Sequence, residues 1–140
     1  MNPQLIFAPM GALAAITFLV LLLIPLRRIP AARKGEVAPD DFALGESANV
    51  PPNIAIVNRA YMNLLEAPVL FYVVCLMAFV GDRVTQPFLI GAWTYVALRA
   101  GHSFVHIVYN NVLHRLTFFG LSNVALITLW VMFFVLPHGG

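Results

Sequence analysis

The chain has 140 residues, of which 61% are hydrophobic and only 10% are charged. Soluble domains contain about 25% charged residues, so this composition excludes an ordinary soluble domain, and its high apolar content excludes a disordered chain. Eight basic residues against six acidic ones give a net charge of +2, without the basic clusters that nucleic-acid binding requires. We therefore predict a small integral membrane protein with no nucleic-acid partner.

Four apolar segments are long enough to cross a bilayer as helices, which takes about 20 residues each. The first and the fourth contain no charge, whereas the second contains Glu66 and the third contains Arg99. The predicted helices cover residues 5–26, 60–81, 87–109 and 116–136. The sequence thus predicts an all-α fold, with residues 1–140 forming a single transmembrane domain built as a four-helix bundle.

The connections between the helices indicate the orientation of the chain. Arginine and lysine concentrate in residues 27–58 and 110–115, whereas the opposite side carries only Arg83. Because cytoplasmic loops are enriched in basic residues, we expect both connections in the cytoplasm and both termini outside it. The first segment lacks the positive n-region of a cleaved signal peptide, so we expect it to remain as a helix.

A polar stripe on the second helix consists of Arg59, Asn63 and Glu66. Spacings of i, i+4 and i+7 place them within about 60° of one another on a helix, and lipid would leave them unpaired. We expect them to face a cleft inside the bundle, as ligand contacts or as a structural network that fixes helix register. Pro68, just beyond the stripe, is assigned to the first turns of this segment, where we expect proline to be tolerated.

The third helix carries a second stripe. It consists of Arg99, His102, His106 and Asn110. Arg99 and Glu66 have similar depths on neighbouring antiparallel helices, so we predict a structural ion pair between them. His102 and His106 could chelate a metal with Glu66 or His114 as a third ligand, but no H-E-x-x-H pattern accompanies them and we predict no metal site.

The two stripes and Arg115, at the start of the fourth helix, predict a cleft with a definite chemistry. Arginines bind carboxylates and stabilise thiolates, a glutamate accepts from an ammonium group, and an asparagine serves either end of an amide. The cleft therefore suits a small anionic ligand with peptide-like groups. Arg115 could instead be an interfacial anchor whose side chain reaches toward the membrane surface.

The segment 58–68, NRAYMNLLEAP, resembles the R-x-x-x-N-x-x-E signature of the MAPEG family, the membrane-associated proteins in eicosanoid and glutathione metabolism. The stretch Arg99-Ala100-Gly101-His102 resembles the family's R-x-x-[YH] element, and Arg115 resembles its catalytic-type arginine. The resemblance covers about residues 5–137. His106 stands where many members carry a tyrosine, and Ala67 replaces a tyrosine found in some.

The resemblance implies a homotrimer that binds glutathione between neighbouring subunits, near the cytoplasmic face. It implies that Arg115 stabilises the glutathione thiolate. It also implies that Arg27 or Arg28 belongs to the site, without deciding between them. The remaining residues that the resemblance assigns to glutathione binding are Arg59, Asn63, Glu66, His102 and His106.

Two functions follow from these patterns. The first is a glutathione-dependent transferase or peroxidase that acts on lipophilic electrophiles arriving from the bilayer. The alternative is a non-catalytic trimeric membrane protein that binds a small anion or lipid, or an accessory subunit of a larger complex. A transport role is less favoured because the chain shows no broken-helix repeat. The resemblance to bacterial members points to a bacterial inner membrane, and we expect no role for His138.

Overall fold

The computed structural model describes residues 1–137, which form five α-helices and contain no β-strand. Two 3-10 turns, Pro3–Ile6 and Pro39–Phe42, accompany them. The helices are α1 (Phe7–Arg33), α2 (Pro52–Leu65), α3 (Pro68–Val80), α4 (Gln86–Val108) and α5 (Val112–Val135). Because α2 and α3 follow each other almost directly, the predicted all-helical bundle of four long segments is confirmed. His138 lies outside the described residues.

Three helical segments are long and apolar enough to cross a membrane, namely Pro3–Arg33, Pro52–Val80 and Val112–Val135. Large apolar side chains cover the outside of the bundle, among them Phe18 and Phe134, which are 63% and 68% exposed. A soluble protein would not expose so many such residues. The exterior is therefore suited to contact with lipid chains.

The remaining long helix, α4, carries Arg99 and two histidines and is not among those three segments. These three side chains are nevertheless buried: Arg99 is fully enclosed, and His102 and His106 are only 3% and 4% exposed. The other helices, rather than lipid, surround them. This enclosure explains how a helix inside a membrane bundle can keep charged and polar side chains.

Both α1 and α2 extend beyond the predicted bounds. α1 continues through Pro25 and Pro30 to Arg33, past the predicted end at residue 26, and α2 begins at Pro52 rather than at residue 60. Hydropathy reports the part of a helix that suits lipid and not where its hydrogen bonding stops. Proline is also well suited to the first position of a helix, as at Pro52.

The connection between α1 and α2, residues 34–51, is folded. Val37 and Val50 are buried in a small apolar cluster with Ala31 of α1 and Ile54 of α2. The Asp41 carboxylate accepts hydrogen bonds from the Ala38 N–H and the Ser47 hydroxyl, both at 2.8 Å. The connection is thereby attached to the end of α1 and the start of α2.

The apolar core is centred on the first half of α4. Tyr95 stacks on Phe71 of α3 with ring centroids 4.7 Å apart, and both side chains are fully buried. Further along α4, a methyl group added at Gly101 would lie 2.5 Å from the Phe118 ring of α5. The missing side chain at Gly101 thus allows α4 and α5 to approach closely beside the polar residues.

Candidate functional site

The segment that the sequence predicted as one helix over residues 60–81 is interrupted at Glu66 and Ala67. α2 ends at Leu65, Glu66 adopts φ −86° and ψ −92°, and Pro68 is the first residue of α3. Proline has no N–H to donate to the Leu64 carbonyl, and its ring clashes with that carbonyl in a continuous helix. The expectation that the helix would tolerate Pro68 was therefore wrong.

The buried Arg99 of α4 lies next to this interruption. Its Nη2 donates a hydrogen bond of 2.9 Å to the Asn63 carbonyl, in the last turn of α2. Glu66 is exposed and within electrostatic range of Arg99, but the two do not form the ion pair that the sequence predicted. The reason is the interruption, because it leaves a backbone carbonyl near α4 for the guanidinium to bind.

The turn between α4 and α5 positions Arg115. Asn110 adopts φ +45°, a left-handed conformation that asparagine tolerates, and Asn111 caps α5 by accepting from the N–H groups of Leu113 and His114. Arg115 Nη1 donates a hydrogen bond of 2.9 Å to the Asn110 side-chain oxygen. A cation in the first turn of a helix opposes the helix dipole, so its position favours anion binding over stability.

Helices α2, α4 and α5 enclose a first cavity of about 400 Å³. Its volume lies within the usual range for small-molecule sites. The apolar part of its wall comes from Met62, Leu116 and Phe119. The polar part comes from Arg59, Asn63, Glu66, His102, His106 and Arg115. Six of the residues predicted for the site therefore line one cavity.

The other two residues that the resemblance assigns to the glutathione site, Arg27 and Arg28, do not line this cavity in the described chain. Arg27 Nη1 donates to the Asn53 carbonyl at 2.7 Å, at the start of α2. Arg28 forms an ion pair of 3.8 Å with Glu46 and lies 4.2 Å from the centre of the Phe42 ring. Arg28 instead holds the α1–α2 connection, whose folding the sequence did not predict, and Arg27 joins α1 to the start of α2.

A second cavity of about 510 Å³ adjoins the first and shares Arg59, His106 and Arg115 with it. The α1–α2 connection forms its outer wall through Glu46, Ser47 and neighbouring residues. The sequence did not predict this cavity, because residues 27–58 were interpreted only as a polar, basic connection between two helices. Two features of the sequence point to a folded connection. One is Asp41, whose side chain caps the backbone at Ala38, and the other is the pair of apolar residues Val37 and Val50.

The histidines are not arranged as a metal site within the described residues. His102 and His106 have ring centroids 5.8 Å apart, but no group of three or more potential ligands occurs in residues 1–137. His114 is turned toward Tyr109, with 2.9 Å between the Tyr109 hydroxyl and His114 Nδ1. His102 and His106 therefore contribute polar walls to the cavities.

Comparison with known proteins assigns the chain to a family. No curated protein and no solved structure matches it. The description of the MAPEG family, in contrast, matches residues 6–135, nearly the whole chain. The match includes both stripes of polar residues and all the helices that enclose the first cavity. The chain belongs to the MAPEG family and is an integral membrane protein of that helical-bundle type.

Proposed function

We propose that the protein is a glutathione-dependent transferase or peroxidase that acts on lipophilic electrophiles. The observation that carries the proposal is the first cavity, where Arg59, Asn63, Glu66 and Arg115 meet in one space of about 400 Å³. The chain belongs to a family associated with glutathione metabolism, which supports this choice of ligand. These four side chains match the charged and amide groups of a tripeptide.

Each end of glutathione has a partner of suitable charge in the first cavity. Arg59 offers paired N–H donors to a carboxylate, and Glu66 accepts from the ammonium group. The Asn63 amide can both donate to and accept from a peptide bond. His102 and His106 add groups that can donate or accept a hydrogen bond according to tautomer. The charge of the ligand is therefore matched along the cavity.

Arg115 is the residue that we assign to catalysis. Its guanidinium and the positive end of α5 would stabilise the glutathione thiolate over the thiol and so lower the pKa of bound glutathione. In the transferase reaction the thiolate sulfur forms a bond to the electrophilic carbon, and the leaving group departs with the electron pair. In the peroxidase reaction two glutathione thiols are oxidised to the disulfide, while a hydroperoxide is reduced to the alcohol and water.

The acceptor would reach the sulfur from the membrane. Leu116, which lines the first cavity, is 57% exposed on the outside of the bundle, and Phe119 beside it is 38% exposed. This apolar edge between α5 and the lipid gives a lipophilic molecule a route that does not pass through water. We propose that glutathione itself comes from the cytoplasm, and that both termini of the protein lie on the opposite side of the membrane.

We also propose that the functional unit is a homotrimer. Arg59 and Glu66 are exposed in the single chain, although both belong to the segment Pro52–Val80 that is suited to cross a membrane. Charged groups facing lipid are costly, so a neighbouring subunit is expected to cover this face of α2. Such an arrangement would place glutathione between subunits and could bring Arg27 or Arg28 of a neighbour nearer to it.

The second candidate function is a non-catalytic trimer that binds a small anion or lipid, or that serves as an accessory subunit. His106 favours it, because this histidine lines both cavities where many family members carry a tyrosine. In that case glutathione or another anion would bind without conversion of an electrophile. A stoichiometric partner retained after mild detergent extraction would favour the accessory-subunit role.

The test of the enzymatic proposal is the ultraviolet absorbance of bound glutathione thiolate in purified protein. We expect a thiolate signal at neutral pH in the wild type and its loss in Arg115→Ala. The matched control is Arg33→Ala, which removes an exposed arginine at the end of α1, outside both cavities. An unchanged thiolate signal in Arg115→Ala would remove Arg115 from the mechanism. Thiolate formation without turnover of electrophiles or hydroperoxides would favour the second candidate.

A further inference from the structure

The interruption between α2 and α3 lies within the set of residues that line the first cavity. Asn63 precedes it and Glu66 forms it, and both side chains border the cavity. A continuous helix would fix these two side chains through the backbone ladder on both sides. Here the ladder stops, because Pro68 lacks an N–H and the Ala67 N–H does not donate to the Asn63 carbonyl among the described contacts.

Arg99 supplies the hydrogen bond that the interruption removes. Its Nη2 lies 2.9 Å from the Asn63 carbonyl oxygen, and its side chain is completely buried. Its Nε and Nη1 have no hydrogen-bond partner among the described residues. The Asn63 carbonyl is therefore the atom that holds the guanidinium in place, and the guanidinium holds the last turn of α2 against α4.

We infer that Arg99 is a positioning residue, which fixes the end of α2 so that Asn63 and Glu66 face the ligand. A fixed carbonyl restricts the peptide plane of Asn63 and, through it, the direction of the Asn63 side chain. Glu66 follows three residues later, at the point where the backbone leaves the helix. The charge of Arg99 is not needed at the thiolate, since Arg99 acts through the backbone of another helix.

The first experiment compares three variants of Arg99 in the full-length protein, with amide hydrogen exchange as the readout. Arg99→Met keeps the volume of the side chain but removes every donor, and replacing a buried charge by an apolar residue is often tolerated. Arg99→Lys retains a donor and should rescue part of the effect. Tyr95→Phe is the control, because it removes from the same helix another buried polar group that has no hydrogen-bond partner within residues 1–137.

We expect faster exchange of the Val69 and Leu70 amides in Arg99→Met. These two amides donate to the Glu66 and Ala67 carbonyls and so report on the interruption directly. Tyr95→Phe should leave their exchange unchanged. Equal exchange in Arg99→Met and the wild type would overturn the inference, and this readout does not depend on glutathione.

The second experiment asks whether Pro68→Ala makes Arg99 dispensable. Alanine restores an N–H for the Leu64 carbonyl and allows the helix to continue, so the Asn63 carbonyl gains a backbone partner. In the wild-type background we expect Arg99→Met to weaken glutathione binding about tenfold, or about 1.4 kcal/mol. In the Pro68→Ala background the same change should weaken glutathione binding by less than about threefold. The difference between the two backgrounds measures the coupling between Arg99 and Pro68.

This affinity measurement rests on the proposed glutathione function, whereas the exchange measurement does not. Equal losses in both backgrounds would show that Arg99 does not act through the interruption and would overturn the inference. Faster exchange without a loss of affinity would also overturn it, since the interruption would then not position the site. Absence of glutathione binding in the wild type would contradict the proposed function, and exchange would still decide whether Arg99 holds α2.

Discussion

The two halves of α4 differ in how they contact the rest of the bundle. Up to Tyr95 the helix is packed into the apolar core, where Tyr95 stacks on Phe71 and Phe88 is 1% exposed. From Arg99 onward most of its buried side chains are polar, with Val105 as the apolar exception, and His102 and His106 border open cavities. The first half is stabilised by apolar packing, whereas the second half is packed less tightly because it borders the candidate binding site. Changes in the first half should affect stability, and changes around the second half should affect binding.

The largest effect is expected in the apolar half. Phe71→Ala removes a fully buried ring from its stack with Tyr95 and should lower the free energy of unfolding by about 3–5 kcal/mol. Thermal unfolding in detergent would measure the loss. Phe134→Ala is the matched control, because Phe134 is 68% exposed and its loss should have little effect. Equal losses in the two variants would contradict the assignment of the core.

A smaller effect on stability is expected in the polar half, at the close approach of α4 and α5. In Gly101→Ala the new methyl group would lie 2.5 Å from the Phe118 ring, so the ring or α5 must move, at a cost of about 1–3 kcal/mol. Because α5 also carries Arg115, we expect glutathione affinity to fall as well. In Gly120→Ala the new methyl group would have no atom within 4 Å beyond its neighbours and the backbone of its own helix, so this change should be neutral or slightly stabilising. A neutral Gly101→Ala would show that this approach of α4 and α5 is not tight.

The smallest effect concerns the connection that covers the second cavity. The Ala38 N–H and the Ser47 hydroxyl hold the pKa of the Asp41 carboxyl below its ordinary value of 3.8. The ionised carboxylate therefore stabilises the fold of the connection above that value, and this contribution is lost as the pH falls through the lower pKa of the folded state. Limited proteolysis of residues 34–51 should accelerate only in strong acid.

Asp41→Asn separates this contribution from general acid unfolding. The asparagine oxygen can accept only one of the two hydrogen bonds, so the connection should be cleaved faster at neutral pH and should lose its acid dependence. Asp40→Asn, one residue earlier, is the control, because the Ala38 N–H and the Ser47 hydroxyl donate to the Asp41 carboxylate and not to that of Asp40. The same proteolysis rate in both variants would refute the capping role of Asp41.

Sequence patterns were sufficient for the helical bundle and for the grouping of most site residues. The charge-poor segments gave the long helices, and the i, i+4, i+7 spacing of Arg59, Asn63 and Glu66 placed these side chains on one face. Three residues of one helix must share a face if they follow its period, whatever the rest of the chain does. The cavity lined by all three is the consequence.

What the patterns missed depends on the backbone and on contacts distant in the sequence. The predicted partner of Arg99 was the opposite charge on Glu66, but the Asn63 carbonyl, which loses its backbone partner where the helix is interrupted, lies at Arg99 Nη2 instead. Side-chain periodicity contains no information about unpaired backbone groups. Similarly, hydropathy did not show that α1 continues past the apolar segment, where Arg27 contacts the start of α2 and Arg28 contacts the α1–α2 connection.

Titration calorimetry of purified protein with glutathione tests the central claim most directly, because the claim is that the first cavity binds this tripeptide. We expect saturable binding to the wild type at millimolar or lower glutathione, and at least a tenfold loss of affinity, about 1.4 kcal/mol, in Arg59→Ala. Arg33→Ala should bind as the wild type does. No heat of binding at millimolar glutathione, or equal affinity of Arg59→Ala and the wild type, would contradict the account.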